Sequence, residues 1–180
     1  MTARERRLWI WTALVIAAIY STLGLARTLA DEFRRRDLLD AAFGLAFLVI
    51  LVAIVAVGVR ARPGGLEIGV ALGVAAVYGL VFVRMAIPEE RTHVIEYGVV
   101  AVLAHEALTE RWQGRRAGWL AAVVALVLTI AVGAIDELIQ LGLPRRVFDV
   151  ADIATNSISA AMALGAKLAL GWAARRARPG

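Results

Sequence analysis

The sequence predicts an all-α membrane protein, a polytopic bundle of about six transmembrane helices. Of its 180 residues, 61% are hydrophobic and the mean hydropathy is +0.74, whereas soluble domains are about half apolar. The apolar residues fall in long runs that approach the roughly 20 residues a helix needs to cross the hydrocarbon core. Because backbone polar groups inside a bilayer must be satisfied internally, such runs without strand alternation indicate helices.

Six apolar runs are candidate spans, and short polar turns separate most of them. The first, second, third and fifth runs are clear. The fourth run is short with polar residues at both ends, and the sixth begins with acidic residues. In order, the runs cover residues 8–26, 41–59, 66–87, 93–108, 118–143 and 150–173.

Two stretches near the N-terminus, the first apolar run and residues 27–40, can each be interpreted in two ways. Its basic start and apolar run also fit a secretory signal, but the run is longer than a usual signal core and more spans follow, so we expect an uncleaved first span. The stretch "RTLADEFRRRDLLD" at 27–40 fits either a short amphipathic helix lying on the membrane surface or a solvated loop. The sequence favours neither.

Charge and cysteine content exclude several classes of function. The net charge is +5 and the pI about 10.6, but the basic residues are scattered over short loops and both ends. This argues against a nucleic-acid partner, which would need a basic face with interleaved aromatics. Arginines at membrane borders instead set topology and contact anionic lipid. The absence of cysteine excludes disulfides, thiolate ligands and a cysteine nucleophile. We expect no metal and no cofactor.

Polar residues recur at one end of three spans: the start of the fourth, the end of the fifth and the start of the sixth. In an alternating bundle these three ends lie on the same side of the membrane. The loops on the same side as the N-terminus carry slightly more Lys and Arg than those on the other side. This favours a cytoplasmic N-terminus in the plasma membrane, so the polar ends of the three spans would lie outside the cell. The candidate ligand-binding cluster is His93, Glu96, Tyr97, Asp136, Glu137, Gln140, Arg146, Asp152 and Asn156.

Helical spacing predicts that these side chains face one another. Residues separated by three, four or seven positions share a helix face, and the cluster's members follow these spacings on each of the three spans. A central charge facing lipid costs roughly 2.5–3.5 kcal/mol, and a shared polar site lowers that cost. The alternative is that some are ordinary helix ends: Asp149 suits an N-cap, and Glu96 suits a side chain extended to the interface.

Two further groups of charged residues are open to a simpler interpretation. His105 and Glu106 lie at the opposite end from the cluster, and we interpret them as interfacial. Arg84 ends the third span on the cluster's side, where it either offers a cation to the cluster or extends to the interface.

The order and spacing of these polar residues resemble the VanZ-like family of small bacterial membrane proteins. The resemblance covers roughly residues 80–170. It rests on four motifs: "ERTHVIEY" with an acid–base pair and His and Tyr four apart, Asp-Glu-x-x-Gln, a Pro and Arg turn, and an Asp and Asn four apart. In this chain the positions are Glu90, Arg91, His93, Tyr97, Asp136, Glu137, Gln140, Pro144, Arg146, Asp152 and Asn156. Departures from the family pattern are Glu90 with Arg91, Val94, Arg145 and Ser159.

The resemblance implies a VanZ-like membrane domain over 66–180, preceded by a two-helix membrane segment over 1–65. The family is named after a member associated with resistance to the glycopeptide teicoplanin, so it implies a link to antibiotic resistance and the cell envelope. We therefore expect membrane lipids as partners, with an envelope lipid precursor or a glycopeptide as the ligand.

Three hypotheses remain open on the sequence. The first is a binding protein whose cluster recognises a polar head group. The second is an enzyme acting on a lipid-linked substrate, with Asp136, Glu137 and Asp152 holding a divalent cation and His93 as general base, although no catalytic motif is present. The third is a structural network that fixes helix packing.

Overall fold

The computed structural model describes residues 1–38, 63–85, 88–113, 117–142 and 150–177, together with residues 41, 45, 48 and 52. For residues 23–31, 34, 88–91 and 117 the description is limited to the backbone. These ranges contain the first, fourth and sixth runs in full, and the third and fifth runs up to residues 85 and 142. The second predicted span, 41–59, lies outside the described residues apart from the three positions 45, 48 and 52 and its first residue.

The described ranges are helical apart from a few residues at their ends and contain no strand, which confirms the all-α prediction. Five helices have bounds within these ranges: α1 (Ala3–Arg35), α2 (Gly65–Arg84), α3 (Pro88–Trp112), α4 (Ala117–Gln140) and α5 (Val150–Ala177). Pro88 is the first residue of α3, where its fixed φ suits the helix and its missing N–H costs no hydrogen bond.

Three of the described helices are long and apolar enough to cross a membrane, namely α2, α4 and α5. The predicted count of six spans is therefore not confirmed. α3 falls short because charged and other polar residues lie along its whole length. α1 is not among the three helices, although its residues 8–26 form an uncharged run. Both pack into the bundle with the apolar helices.

α1 runs without a break to Arg35, past residue 26 where the first apolar run ends, so residues 27–35 continue that helix and form neither a separate surface helix nor a loop. Residues 27–35 contain neither Gly nor Pro, and Glu32 forms ion pairs of 2.6 Å with both Arg35 and Arg36. Pairs at these spacings support a helix. α1 is followed by a turn in which Asp37 adopts the left-handed conformation, with φ of 53°.

α3 lies at the centre of the bundle and packs against α1, α4 and α5, whereas α2 packs mainly on α5. Contacts near the helix ends give the directions. Arg4 reaches Glu106, so α1 is antiparallel to α3. A Cβ on Gly64 would lie 3.6 Å from Ala177 Cβ, so α2 is antiparallel to α5. The helices alternate in direction from α2 to α5, which brings the starts of α3 and α5 and the end of α4 together.

The core between α3, α4 and α5 is built largely from alanine. The buried cluster consists of Ala101, Ala104, Leu108, Ala121, Ala125, Ala160 and Leu164. Small residues allow helix backbones to approach closely, which is how membrane helices gain packing contacts in the absence of a hydrophobic driving force. Gly98 shows how close α3 and α5 come, because a Cβ there would lie 3.3 Å from Ala163 Cβ.

Candidate functional site: a buried polar cluster at one end of the bundle

The predicted polar residues of α3, α4 and α5 converge at one end of the bundle. Five of their side chains are at most 1% exposed: Tyr97, Asp136, Glu137, Gln140 and Asn156. His93, Glu96 and Asp152 are half-buried around them. So many buried polar side chains among apolar helices are energetically expensive unless they are paired or solvated.

Asp136 is the centre of a hydrogen-bond network within this cluster. The Tyr97 hydroxyl donates to Asp136 Oδ2 at 2.7 Å, and Gln140 Nε2 donates to the same oxygen at 3.3 Å. The first bond joins α3 to α4. The second lies within α4, because Asp136 and Gln140 are one turn apart. Both donors therefore fix one carboxylate oxygen and orient the other.

Gly133 lets the three helices meet at the cluster. A Cβ on Gly133 would lie 3.3 Å from both Cβ and Nδ2 of Asn156 and 3.4 Å from Cε1 of Tyr97. Those distances are tighter than ordinary contact, so the missing side chain is what allows α5 and α3 to approach α4 here. The same contacts bring Asn156 and Tyr97 to one place.

Several buried atoms of the cluster have no hydrogen-bond partner among the residues that the structure describes. They are Asp136 Oδ1, His93 Nδ1 and both amide atoms of Asn156. An unsatisfied buried polar group costs about 1–3 kcal/mol, and a charged one more. These atoms also differ in character: the carboxylate accepts, the amide both donates and accepts, and a ring nitrogen does either.

Two aromatic side chains, His93 of the cluster and Tyr20 outside it, lie at the edge of this network. His93 stacks at a tilt on Tyr97, with ring centroids 5.8 Å apart and planes at 59°. Tyr20 of α1 donates its hydroxyl hydrogen to the carbonyl oxygen of Val132, at 2.8 Å, and so ties α1 to α4 next to Gly133. The sequence analysis missed Tyr20. The available signal was a hydroxyl-bearing aromatic in the interior of an apolar run, "AAIYST".

Part of the predicted site falls beyond what the structure describes. Arg146, Pro144, Arg145 and Asp149 lie outside the described residues, as do the side chains of Glu90 and Arg91. Among the described residues no group of three or more His, Asp or Glu side chains is arranged to hold a metal ion. The carboxylates of the cluster are spread over three helices, and among the described residues that of Asp136 accepts hydrogen bonds from Tyr97 and Gln140.

The opposite end of the bundle carries an ionic network rather than isolated interfacial groups. Glu106 of α3 pairs with Arg4 at 3.0 Å and also with Lys167 of α5. Arg4 further pairs with Glu110 at 3.3 Å. Since these residues belong to three helices, Glu106 joins α1, α3 and α5 at this end. His105 is bound separately, through Nε2 and the carbonyl oxygen of Gly118, 3.2 Å apart.

Similarity to known protein families identifies the family of the chain. A family model described as VanZ/LLP1 matches residues 2–170, which is nearly the whole chain. This chain belongs to the VanZ-like family. The match in this VanZ-like protein extends well beyond the 80–170 range that carried the resemblance, and it includes α1. No curated protein and no solved structure matches the chain.

The buried polar positions coincide with the motifs of the family. The family motifs of this VanZ-like protein that lie in described residues meet in one place: the His and Tyr of α3, the Asp-Glu-x-x-Gln of α4 and the Asp and Asn of α5. Two of these motif residues, Tyr97 and Asp136, are joined directly by a hydrogen bond. The motif residues are therefore neighbours in space although up to 63 positions separate them in sequence.

Proposed function

We propose that this VanZ-like protein is a multi-pass plasma-membrane binding protein whose polar cluster recognises the head group of an envelope lipid or a glycopeptide. With a cytoplasmic N-terminus the cluster faces outward, where both kinds of ligand occur. The family's association with teicoplanin resistance motivates the glycopeptide, and the position of the cluster near the membrane interface motivates the lipid.

The buried atoms without described partners are the observation that supports this proposal. Asp136 Oδ1 accepts hydrogen bonds, while the Asn156 amide can accept through Oδ1 and donate through Nδ2. Sugar hydroxyls and peptide amides offer the complementary donors and acceptors, and both occur in lipid-linked sugars and glycopeptides. A purely structural network would be expected to satisfy these atoms internally, because leaving them unpaired opposes folding.

Asn156→Leu separates binding from structure. The two side chains are similar in size, and leucine removes two unsatisfied polar atoms, so a binding role predicts equal or higher thermal stability together with lost ligand. We would measure teicoplanin binding to the purified protein by calorimetry, and the host lipids that remain bound after purification by mass spectrometry. We expect at least a tenfold loss of one of these two ligands.

Glu106→Gln is the matched control, because it removes the charge of a half-buried carboxylate at the other end of the bundle. It should lower stability but leave ligand binding unchanged. If Asn156→Leu keeps full binding of every ligand that the wild type binds, the proposal is wrong. If Asn156→Leu instead destabilises the protein as much as Glu106→Gln does, with no ligand bound by the wild type, the structural network is the better account.

An enzyme acting on a lipid-linked substrate is the second candidate, and the position of His93 favours it. Its ring lies against Tyr97, which bonds Asp136, and its Nδ1 is buried without a described partner. A histidine beside a carboxylate network is a candidate general base. Incubating the purified protein with host lipid extract and following lipid species by mass spectrometry would detect turnover, and His93→Gln should abolish it.

A further inference from the structure

A groove of about 500 Å³ lies between the end of α2 and the start of α5, beside the polar cluster. Its walls are mainly apolar and include Leu80, Val81, Ile158 and Met162. Leu80 and Ile158 are 59% and 58% exposed, so the groove is open on the outer surface of the described helices. The volume lies within the range of sites that hold small molecules.

The groove lies beside the cluster on two helices. Val94 of α3 and Ser159 of α5 line the groove, and each lies three positions from a cluster residue, Tyr97 and Asn156 respectively. Residues at this spacing share a helix face. The apolar groove and the polar cluster are therefore neighbours at the same end of the bundle.

Arg84 gives the groove a positive charge. It is the last residue of α2 and lines the groove, and it has no ion pair among the described residues. A cation at a helix C-terminus is favourable by itself, which explains why arginine is tolerated there. Arg84 is exposed at the wall of an apolar groove, a position that suits an anionic partner that also carries an apolar part.

We propose that this groove holds an acyl chain of a phospholipid, whose phosphate is bound by Arg84 and whose hydroxyl-bearing head group extends towards Asn156 and Asp136. The inference rests on the proposed function and names the class of ligand. Arginine is suited to phosphate oxygens, the groove wall suits a hydrocarbon chain, and the atoms without described partners suit hydroxyl groups. A helix from a second copy of the chain would fill the groove but would not supply the phosphate.

The test uses two phosphatidylglycerol probes, one with dioleoyl chains and one with water-soluble dihexanoyl chains, bound to the detergent-purified protein and counted by native mass spectrometry. Val81→Phe narrows the groove. Val83→Phe is the matched control, since Val83 lies on the other side of α2 and is 83% exposed. We expect Val81→Phe to weaken dioleoyl binding at least tenfold and dihexanoyl binding less than twofold, with Val83→Phe leaving both unchanged.

The charge is tested separately with Arg84→Gln, which should weaken binding of both probes at least fivefold, whereas Arg84→Lys should retain most of it. Equal effects of Val81→Phe and Val83→Phe on the dioleoyl probe would overturn the chain site. So would a dimer that Val81→Phe converts to a monomer while lipid binding is unchanged. Asn156→Leu distinguishes the two proposals: if it alone weakens binding of both probes, the head-group site stands and the groove fails.

Discussion

Tyr97 and Asp136 are joined by a 2.7 Å hydrogen bond between side chains that are both fully buried. The bond links the central helix α3 to α4 and fixes one carboxylate oxygen, while the other oxygen has no partner among the described residues. The pair therefore has two consequences, one for the stability of the bundle and one for the direction in which Asp136 presents its remaining acceptor.

Tyr97→Phe should lower the free energy of unfolding by about 1–3 kcal/mol, because it leaves a buried carboxylate with only the weaker bond from Gln140. Unfolding in mixed detergent, followed by circular dichroism, measures the change. Tyr78→Phe is the control, since Tyr78 lies on α2 and its hydroxyl has no partner among the described residues. Equal small changes in the two variants would show that the bond contributes nothing to stability.

Gly133→Ala should destabilise the protein by about 1–3 kcal/mol, as overpacking does in well-packed cores. The added Cβ would lie 3.3 Å from Asn156 Cβ, so α5 must shift away from α4. Gly165→Ala is the control, because Gly165 has nothing within 4 Å of an added Cβ and alanine favours a helix by up to about 1 kcal/mol. Thermal unfolding of both variants should therefore change in opposite directions, and a gain in stability for Gly133→Ala would contradict the close approach.

The pair Glu106 and Lys167 should show coupling in a double-mutant cycle. Glu106→Gln leaves Lys167 without its ion pair, and Lys167→Met leaves Glu106 paired with Arg4 alone, so the double variant should lose less stability than the sum of the two singles. Contacting charged residues typically couple by about 0.5–3 kcal/mol. Strictly additive losses would mean that the two side chains do not stabilise the bundle through each other, and that Glu106 acts through Arg4 alone.

The absence of cysteine allows a direct test of which membrane face carries the cluster. Leu141→Cys places a single thiol in the exposed turn after α4, and Gln113→Cys places one after α3 at the opposite end. With a cytoplasmic N-terminus, a membrane-impermeant maleimide should label the first variant in intact cells and the second only after permeabilisation. The reverse pattern would place the cluster in the cytoplasm and remove extracellular ligands from consideration.

The sequence predicted the grouping of polar residues better than it predicted the spans. Alternation of helices is enough to bring residues 93–97, 136–140 and 152–156 to one end, and the helical spacing of Asp136 and Gln140 puts both on one stripe. Parity and spacing are properties of the chain alone. The buried positions of Tyr97, Asp136 and Asn156 depend on packing, yet the cost of exposing them to lipid already pointed to the interior.

The extension of α1 beyond residue 26 was not predicted, although the pairs of Glu32 with Arg35 and Arg36 that support it are local. Other features could not be predicted because they depend on contacts between distant residues. Glu106 was interpreted as interfacial, since nothing in the sequence shows that Arg4 and Lys167 reach it. The role of Gly133 likewise appears only when α5 is packed against α4, because a glycine within an apolar run has many uses.

α3 contributes residues to both the polar cluster and the ionic network at the opposite end of the bundle. Tyr97 and Glu106 are nine positions apart, about 13–14 Å along the helix axis, and each is held by partners on other helices: Asp136 at one end, and Arg4 with Lys167 at the other. An axial displacement of α3 by even half a turn would break the bonds at both ends together. The bonds at Tyr97 and Glu106 therefore hold α3 in a single axial register, and a shift of the helix that relaxed one set of contacts would strain the other.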